Sequence, residues 1–118
     1  MSPTDSRRGH RVDAVPGTQH VTVRIDGKVV AETRRPVLVH ETGLPVRYYI
    51  PPQDVDLALF RGSDTNTTCP YKGVASYRSY GDHNDVAWYY EEPLPSVPEI
   101  AGHLSFYDTV AEVAVQEA

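Results

Sequence analysis

The sequence predicts a mainly β fold, on the basis of three observations. Eight glycines and ten prolines interrupt a chain of 118 residues, and between Gly17 and Gly102 the longest stretch without either type is residues 82–92. A helix of average length, about 11–12 residues, would barely fit there. Candidate strands recur at intervals of about 8–12 residues, the spacing of an all-β sandwich, barrel or tent. A hairpin signal with a tight turn is the third observation.

The hairpin is the clearest local pattern. Apolar and polar residues alternate over positions 21–25, Asp26-Gly27 follows, and residues 28–32 continue with a second apolar run. An Asp-Gly pair tolerates the positive φ angles that a two-residue type I′ turn demands. We therefore expect two antiparallel strands joined at these two residues.

Later segments rich in β-branched and aromatic residues predict the remaining strands. Pro51 and Pro52 must end one of them, because proline offers no ladder donor. Pro98 suits the first position of a single helical turn over residues 98–101. The final segment is ambiguous, and its valines favour a strand. The predicted strands are residues 37–40, 47–50, 56–60, 74–80, 86–90, 104–107 and 110–115.

Length and composition limit the organisation and the partners. A chain of this length fits one domain, which we place at residues 20–118 after a disordered tail at residues 1–19, a stretch that lacks apolar periodicity. No run approaches the roughly 18 apolar residues of a membrane helix, and no apolar signal segment follows Arg7-Arg8, so we expect a cytoplasmic protein. A net charge of −5 argues against nucleic acid as the main partner.

The first candidate site segment runs from Glu41 into a predicted strand. Because side chains alternate along a strand, Arg47 and Tyr49 share one face, while Tyr48 and Ile50 share the other. A cation beside an aromatic hydroxyl can hold an anionic or planar ligand. The alternative is a structural pair between Arg47 and Glu41 across the turn.

The second segment contains Cys69, the one cysteine of the chain, and Lys72, one of two lysines. A nearby ammonium can lower the pKa of a thiol and make it nucleophilic, with His40, His83 or His103 as the base if the fold brings one close. Two alternatives remain, a thiol that lines a pocket and a thiol that is plain core. A lone cysteine excludes an internal disulfide and a four-cysteine zinc site.

The third segment leads from an acidic turn into an aromatic strand. Asp82, His83 and Asp85 are possible metal ligands, but their spacing matches no metal motif and is good turn chemistry. Trp88 shares a face with the second tyrosine after it, an arrangement typical of core packing as well as of a ligand platform. Phosphate-binding glycine loops, the Gly-x-Ser-x-Gly elbow and His-Glu-x-x-His are absent from the sequence, so we expect no cofactor and no metal.

Several stretches together resemble the bacterial family catalogued as domain of unknown function number 427, over residues 21–115. The matching stretches are residues 41–45, Arg47-Tyr48-Tyr49, Pro51, residues 54–55, residues 68–73 with Ala75 and Tyr77, residues 87–90, and residues 100–106. The resemblance implies a β-tent, in which two antiparallel sheets lean together at an angle, as in methionine sulfoxide reductase B and the yippee proteins. Many tents bind zinc through two Cys-x-x-Cys pairs, a pattern from which this chain departs. A family label associates these domains with nucleotidyltransferases, but the sequence has no paired carboxylates or Gly-Ser motif for that chemistry.

The expected function is therefore a cleft between two sheets that binds a small planar or anionic molecule. Arg47 would hold the charge, Tyr49, Tyr77 and Trp88 would form the walls, and Cys69 and Lys72 would be the catalytic candidates. An acid–base or nucleophilic step is left open. The alternative is a non-catalytic interaction module, for example a homodimer formed through a strand edge.

Overall fold

The computed structural model describes residues 9–117, and strands dominate it. Single 3-10 helical turns occur at Pro52–Asp54, Leu57–Leu59 and Pro98–Ile100. The mainly β class and the predicted helical turn near Pro98 are confirmed. The strands are β1 (Val12–Pro16), β2 (His20–Ile25), β3 (Lys28–Thr33), β4 (Val37–Glu41), β5 (Arg47–Tyr49), β6 (Arg61–Cys69), β7 (Gly73–Tyr80), β8 (His83–Tyr89), β9 (Leu104–Phe106) and β10 (Glu112–Gln116).

The predicted hairpin is formed by β2 and β3. Ile25 pairs with Lys28 across the turn, and the φ angles of Asp26 and Gly27 are 52° and 81°. Both values are positive, as a type I′ turn requires. The Asp-Gly pair therefore sets the register of this hairpin.

The strands form three antiparallel sheets, with the orders β1-β4-β5, β10-β2-β3 and β6-β7-β8-β9. Ile50 and Leu104 exchange two backbone hydrogen bonds, of 2.8 and 2.9 Å, so β5 continues beside β9 and joins the first sheet to the four-stranded sheet. The resemblance implied two antiparallel sheets that lean together. In the structure, the sheet β1-β4-β5 and the four-stranded sheet are joined edge to edge, and the hairpin strands form a third sheet with β10.

Two hydrophobic clusters hold the sheets together, and the four-stranded sheet contributes to both. The first, which we name the apolar core, consists of Val21, Val23, Ile25, Val30, Ala31, Ile50, Val55, Phe60, Val86, Ala87, Leu104, Phe106 and Ala111. The second, the aromatic core, consists of Val37, Val39, Tyr49, Ala75, Tyr77, Trp88, Tyr90, Val97 and Ile100. Side-chain alternation places Ala87 in the apolar core and the next residue of β8, Trp88, in the aromatic core.

The prediction of a strand at residues 56–60 is wrong, because Leu57–Leu59 forms a 3-10 turn. The backbone N–H of Leu59 donates to Asp56 (3.1 Å), and that of Phe60 donates to Leu57 (3.0 Å), which uses donors that a strand ladder would need. Strand β6 was not predicted. Its side chains are mostly polar and exposed, so its sequence lacks the alternation that marks a half-buried strand.

Ordered structure starts earlier than the predicted boundary near residue 20. Strand β1 lies within the segment assigned to a tail, and it pairs with β4 from Val12↔Glu41 to Pro16↔Val37. Val12 and Ala14 pack against the aromatic core. Hydrogen bonds to β4 thus satisfy the backbone N–H and C=O groups of a segment that has few apolar side chains. Residues 1–8 of the predicted tail lie outside the described residues.

Within residues 9–117, no helix has the length and apolarity that crossing a bilayer requires.

Candidate functional site

A cleft of about 210 Å³ opens over the aromatic core. Five of the six site residues predicted from the sequence line it, namely Arg47, Tyr49, Lys72, Tyr77 and Trp88. They come from β5, from the turn between β6 and β7, and from β7 and β8. The other lining residues are Val39, Glu41, Leu44, Pro45, Tyr90 and Tyr107.

Arg47 lies over an aromatic wall of the cleft. Its guanidinium carbon is 5.6 Å from the centre of the Trp88 ring, within the range of a cation–π interaction. The Tyr107 ring packs against the same indole, with the ring centres 4.5 Å apart. The nearest carboxylate to Arg47 is that of Asp108, at 4.0 Å and 71% exposed, and such an exposed pair contributes little.

Tyr49 is a buried hydrogen-bond partner of the Trp88 indole. Its side chain is 1% exposed, its hydroxyl accepts a hydrogen bond of 2.9 Å from the Trp88 Nε1–H, and the two rings meet edge to face. Burial raises the pKa of Tyr49 to about 12, so the hydroxyl is neutral at physiological pH. Tyr49 therefore supports Trp88 more than it contacts the open cleft.

Three further tyrosines add hydroxyl groups to the walls. The Tyr77 hydroxyl shares a 2.7 Å hydrogen bond with the Thr67 hydroxyl. Burial, together with the neighbouring Tyr77 hydroxyl, raises the pKa of Tyr107 to about 12, and burial also raises the pKa of Tyr90. The sequence analysis did not select Tyr90 or Tyr107. Tyr90 lies two residues after Trp88, and this spacing indicates the same face of a strand. Tyr107 directly follows β9.

A buried ion pair forms one side of the cleft. The Lys72 ammonium donates to Glu41 Oε1, and the two side chains are only 11% and 9% exposed. The other oxygen of Glu41 is 3.1 Å from His10 Nε2, and the His10 ring stacks on Tyr71 with the centres 4.0 Å apart. The alternative pairing of Arg47 with Glu41 is thus wrong, because Glu41 pairs with Lys72.

The Lys72 position is fixed by its own turn. The Lys72 N–H donates to the Cys69 carbonyl (3.3 Å), and the Lys72 carbonyl accepts from Leu94 (2.9 Å). Gly73 follows with a φ of +117°, and a Cβ there would lie 3.5 Å from the Glu92 carbonyl oxygen. Glycine therefore allows the positive φ that ends this turn, whereas a Cβ would make only ordinary contact with residues 92–94.

Cys69 lies at the end of β6, paired with Gly73. Its side chain is partly buried and packs against the aromatic core, but it is not among the residues that line the cleft. Within residues 9–117, no hydrogen bond joins the thiol to His40, His83 or His103. His83 bonds the Asp26 carboxylate (3.1 and 3.2 Å), and His103 bonds the Ala101 carbonyl (3.0 Å). A reactive Cys69 stays a prediction.

A comparison with known families identifies the chain. A family model described as a domain of unknown function (DUF427) matches residues 13–117. The chain belongs to this family. No curated protein matches the sequence. The membership suspected from the motifs is confirmed, and the matched region starts within β1.

In this member of DUF427 two of the possible metal ligands of the third segment lie in β8 and have other partners: His83 bonds Asp26, and Asp85 bonds Thr65 and Ser79. Asp85 has a φ of +55°, its carboxylate accepts from Thr65 (2.8 Å), and its N–H donates to Ser79 (2.9 Å). No three His, Cys, Asp or Glu side chains gather as a metal site would require anywhere in residues 9–117. The zinc that many tent proteins bind therefore has no fitting set of donors in the described part of this chain.

Proposed function

We propose that the cleft binds a small molecule with a planar ring and an anionic group. The observation that carries the proposal is the placement of Arg47 over Trp88 at the cleft wall. The Arg47 side chain is 34% exposed, and the only carboxylate within 4.0 Å of its guanidinium in residues 9–117 is that of the exposed Asp108. It can therefore accept a ligand carboxylate in a two-point contact while the ligand ring packs on the aromatic wall.

The size of the cleft limits the ligand. Its volume is about 210 Å³, whereas an apolar cavity of about 150 Å³ holds a benzene ring and drug-sized ligands fill about 300–1,000 Å³. One ring with a carboxylate is therefore the expected scale. A nucleoside triphosphate would exceed it, and so the proposal departs from the nucleotidyltransferase association.

The charge of the lining favours an anion. Two cationic side chains, Arg47 and Lys72, share the cleft with one carboxylate, Glu41. Glu41 offsets Lys72 through the buried ion pair, which leaves Arg47 as the cation without a close partner. A ligand carboxylate at Arg47 would balance the site.

Lys72 and Cys69 are the proposed reacting groups if the ligand is a substrate. The Lys72 ammonium faces the cleft and can donate a proton to a bound ligand, with Glu41 holding it in place. Cys69 lies three residues earlier, behind the lining, so a nucleophilic role needs a local shift of the turn. Cytosolic conditions keep such a lone thiol reduced, and a cytoplasmic location is part of this proposal.

The proposal is tested by thermal unfolding with benzoate, 4-hydroxybenzoate, benzyl alcohol and inorganic phosphate. We expect the two aromatic carboxylates to raise the Tm of the wild-type protein by several degrees at saturation, and the uncharged alcohol to raise it less. Arg47→Ala should lose the shift, whereas Arg61→Ala, which removes an exposed arginine on β6, should keep it. Equal shifts in both variants, or a wild-type protein that responds to no compound, would contradict the proposal.

The second candidate function is homodimerisation through a strand edge. Strand β6 favours it, because this strand is nine residues long and forms one edge of the four-stranded sheet, and an uncovered edge can pair with another chain. Light scattering on the same samples distinguishes the two functions. A dimer together with a flat compound panel would favour the interaction module.

A further inference from the structure

A second arginine lies on the opposite face of the sheet that carries the cleft. Arg78 follows Tyr77 on β7, and its guanidinium carbon is 5.3 Å from the centre of the Tyr89 ring. The Arg78 Nε is buried and has no hydrogen-bond partner. No carboxylate within residues 9–117 lies within 4.0 Å of this guanidinium, and none of its nitrogens makes a side-chain hydrogen bond there. Because the Nε has no accessible surface, a bound acceptor would contact the terminal nitrogens of the guanidinium, which are not among the buried atoms without a partner.

A cavity of about 220 Å³ adjoins Arg78. Its walls are mainly apolar, and Glu91 is the second charged residue among them. Arg78 and Glu91 line the same cavity without forming an ion pair with each other in the described part of the chain. The complete lining is Pro52, Leu57, Arg78, Tyr89, Glu91, Gly102 and Leu104.

We propose that this cavity binds a free α-amino acid with an apolar side chain. The ligand carboxylate would receive hydrogen bonds from Arg78, the ligand ammonium would face Glu91, and the side chain would pack on Leu57 and Leu104. A ligand that carries both charges on an apolar body would pair with Arg78 and Glu91 while it packs on the apolar part of the lining. The volume suits a side chain of the size of leucine, since a cavity of about 150 Å³ holds a benzene ring.

This site is independent of the cleft proposed above. Tyr77 and Trp88 belong to the aromatic core, whereas Tyr89 and Leu104 pack with the apolar core on the other face. A ligand at Arg78 therefore leaves the cleft side chains untouched, and the two proposals can fail separately.

The test is a titration of the ¹⁵N-labelled full chain with L-leucine, followed by amide chemical shifts. We expect saturable shifts at Tyr89, Gly102 and Leu104. Two analogues that each keep one charge, 4-methylpentanoate and 3-methylbutylamine, should bind about tenfold or more weakly, because each leaves one charged group of the site without its partner. Arg78→Gln should abolish the shifts, and Arg61→Gln, a change at an exposed arginine of β6, should preserve them.

A second variant keeps the proposal testable if Arg78→Gln does not fold. Glu91 is exposed, so Glu91→Gln should fold normally and should bind leucine no better than 4-methylpentanoate. The proposal is overturned if leucine causes no saturable shift, or if its shifts fall on Tyr77 and Trp88 instead. It is also overturned if Glu91→Gln retains the full preference for leucine.

Discussion

The two cores of this protein differ in what they bury. The apolar core, on the side of the hairpin sheet, consists of aliphatic residues and two phenylalanines. The aromatic core buries three tyrosines and the single tryptophan, and it borders the ion pair of Lys72 and Glu41. Of the two, only the aromatic core is built from side chains that carry hydroxyl and indole N–H groups, and when buried these groups need hydrogen-bond partners.

The difference between the cores supports the proposal that the binding site lies on the side of the aromatic core. Burying hydrocarbon is favourable wherever it happens, whereas buried hydroxyls and charges are costly unless each is paired. In the aromatic core the pairs are specific: Trp88 with Tyr49, Tyr77 with Thr67, and Lys72 with Glu41. Such paired polar groups beside an open cleft are expected of a binding site.

The largest expected effect comes from breaking the buried ion pair. Glu41→Ala leaves the Lys72 ammonium buried without a counter-charge and should lower the free energy of unfolding by about 3–5 kcal/mol, measured by urea denaturation. Glu32→Ala is the matched control, because Glu32 is 56% exposed and pairs with His20 at the surface. That control should cost at most about 1 kcal/mol. An equal decrease in the free energy of unfolding in the two variants would show that Glu41 is as well hydrated as the surface residue Glu32.

A smaller effect distinguishes two adjacent tyrosines that face different cores. Tyr49→Phe removes the acceptor of the Trp88 Nε1–H, and the buried donor should then cost about 1–3 kcal/mol. Tyr48 packs against the apolar core, and within residues 9–117 its hydroxyl makes no hydrogen bond, so Tyr48→Phe should be nearly neutral. Urea denaturation followed by Trp88 fluorescence, the only tryptophan signal, compares them directly. If neither substitution changes the free energy of unfolding, the Trp88 Nε1–H must form a different hydrogen bond in Tyr49→Phe, and the aromatic core tolerates the loss of this hydroxyl.

The same two tyrosines show what sequence patterns can predict. Alternation along a strand correctly placed Arg47 and Tyr49 on the cleft side and Tyr48 on the other side, because this rule depends only on local backbone geometry. The Asp26-Gly27 turn was predictable for the same reason. Local patterns also suggested Lys72 and Trp88, and the fold brings both to the cleft.

Contacts between distant segments were beyond prediction. Glu41 and Lys72 are 31 residues apart, and their pairing depends on the position of the β6–β7 turn next to the end of β4. Sequence proximity favoured Arg47 as the partner of Glu41, and tertiary structure overrode it. Strand β6 was also hidden, because an edge strand with exposed polar side chains has no apolar alternation to read.

The smallest effect tests the aromatic core through pH. Unfolded tyrosines ionise near pH 10, whereas burial raises the pKa of Tyr49 to about 12 in the folded protein. The stability due to neutral, buried Tyr49 is therefore complete below pH 10 and is lost as the pH rises from 10 to 12, by up to about 1.4 kcal/mol per pH unit. Urea denaturation at pH 9.5 and pH 11 should show that the wild-type protein loses about 1 kcal/mol more than Tyr49→Phe. An identical pH dependence in Tyr49→Phe would mean that the Tyr49 hydroxyl is as accessible to hydroxide as a surface phenol.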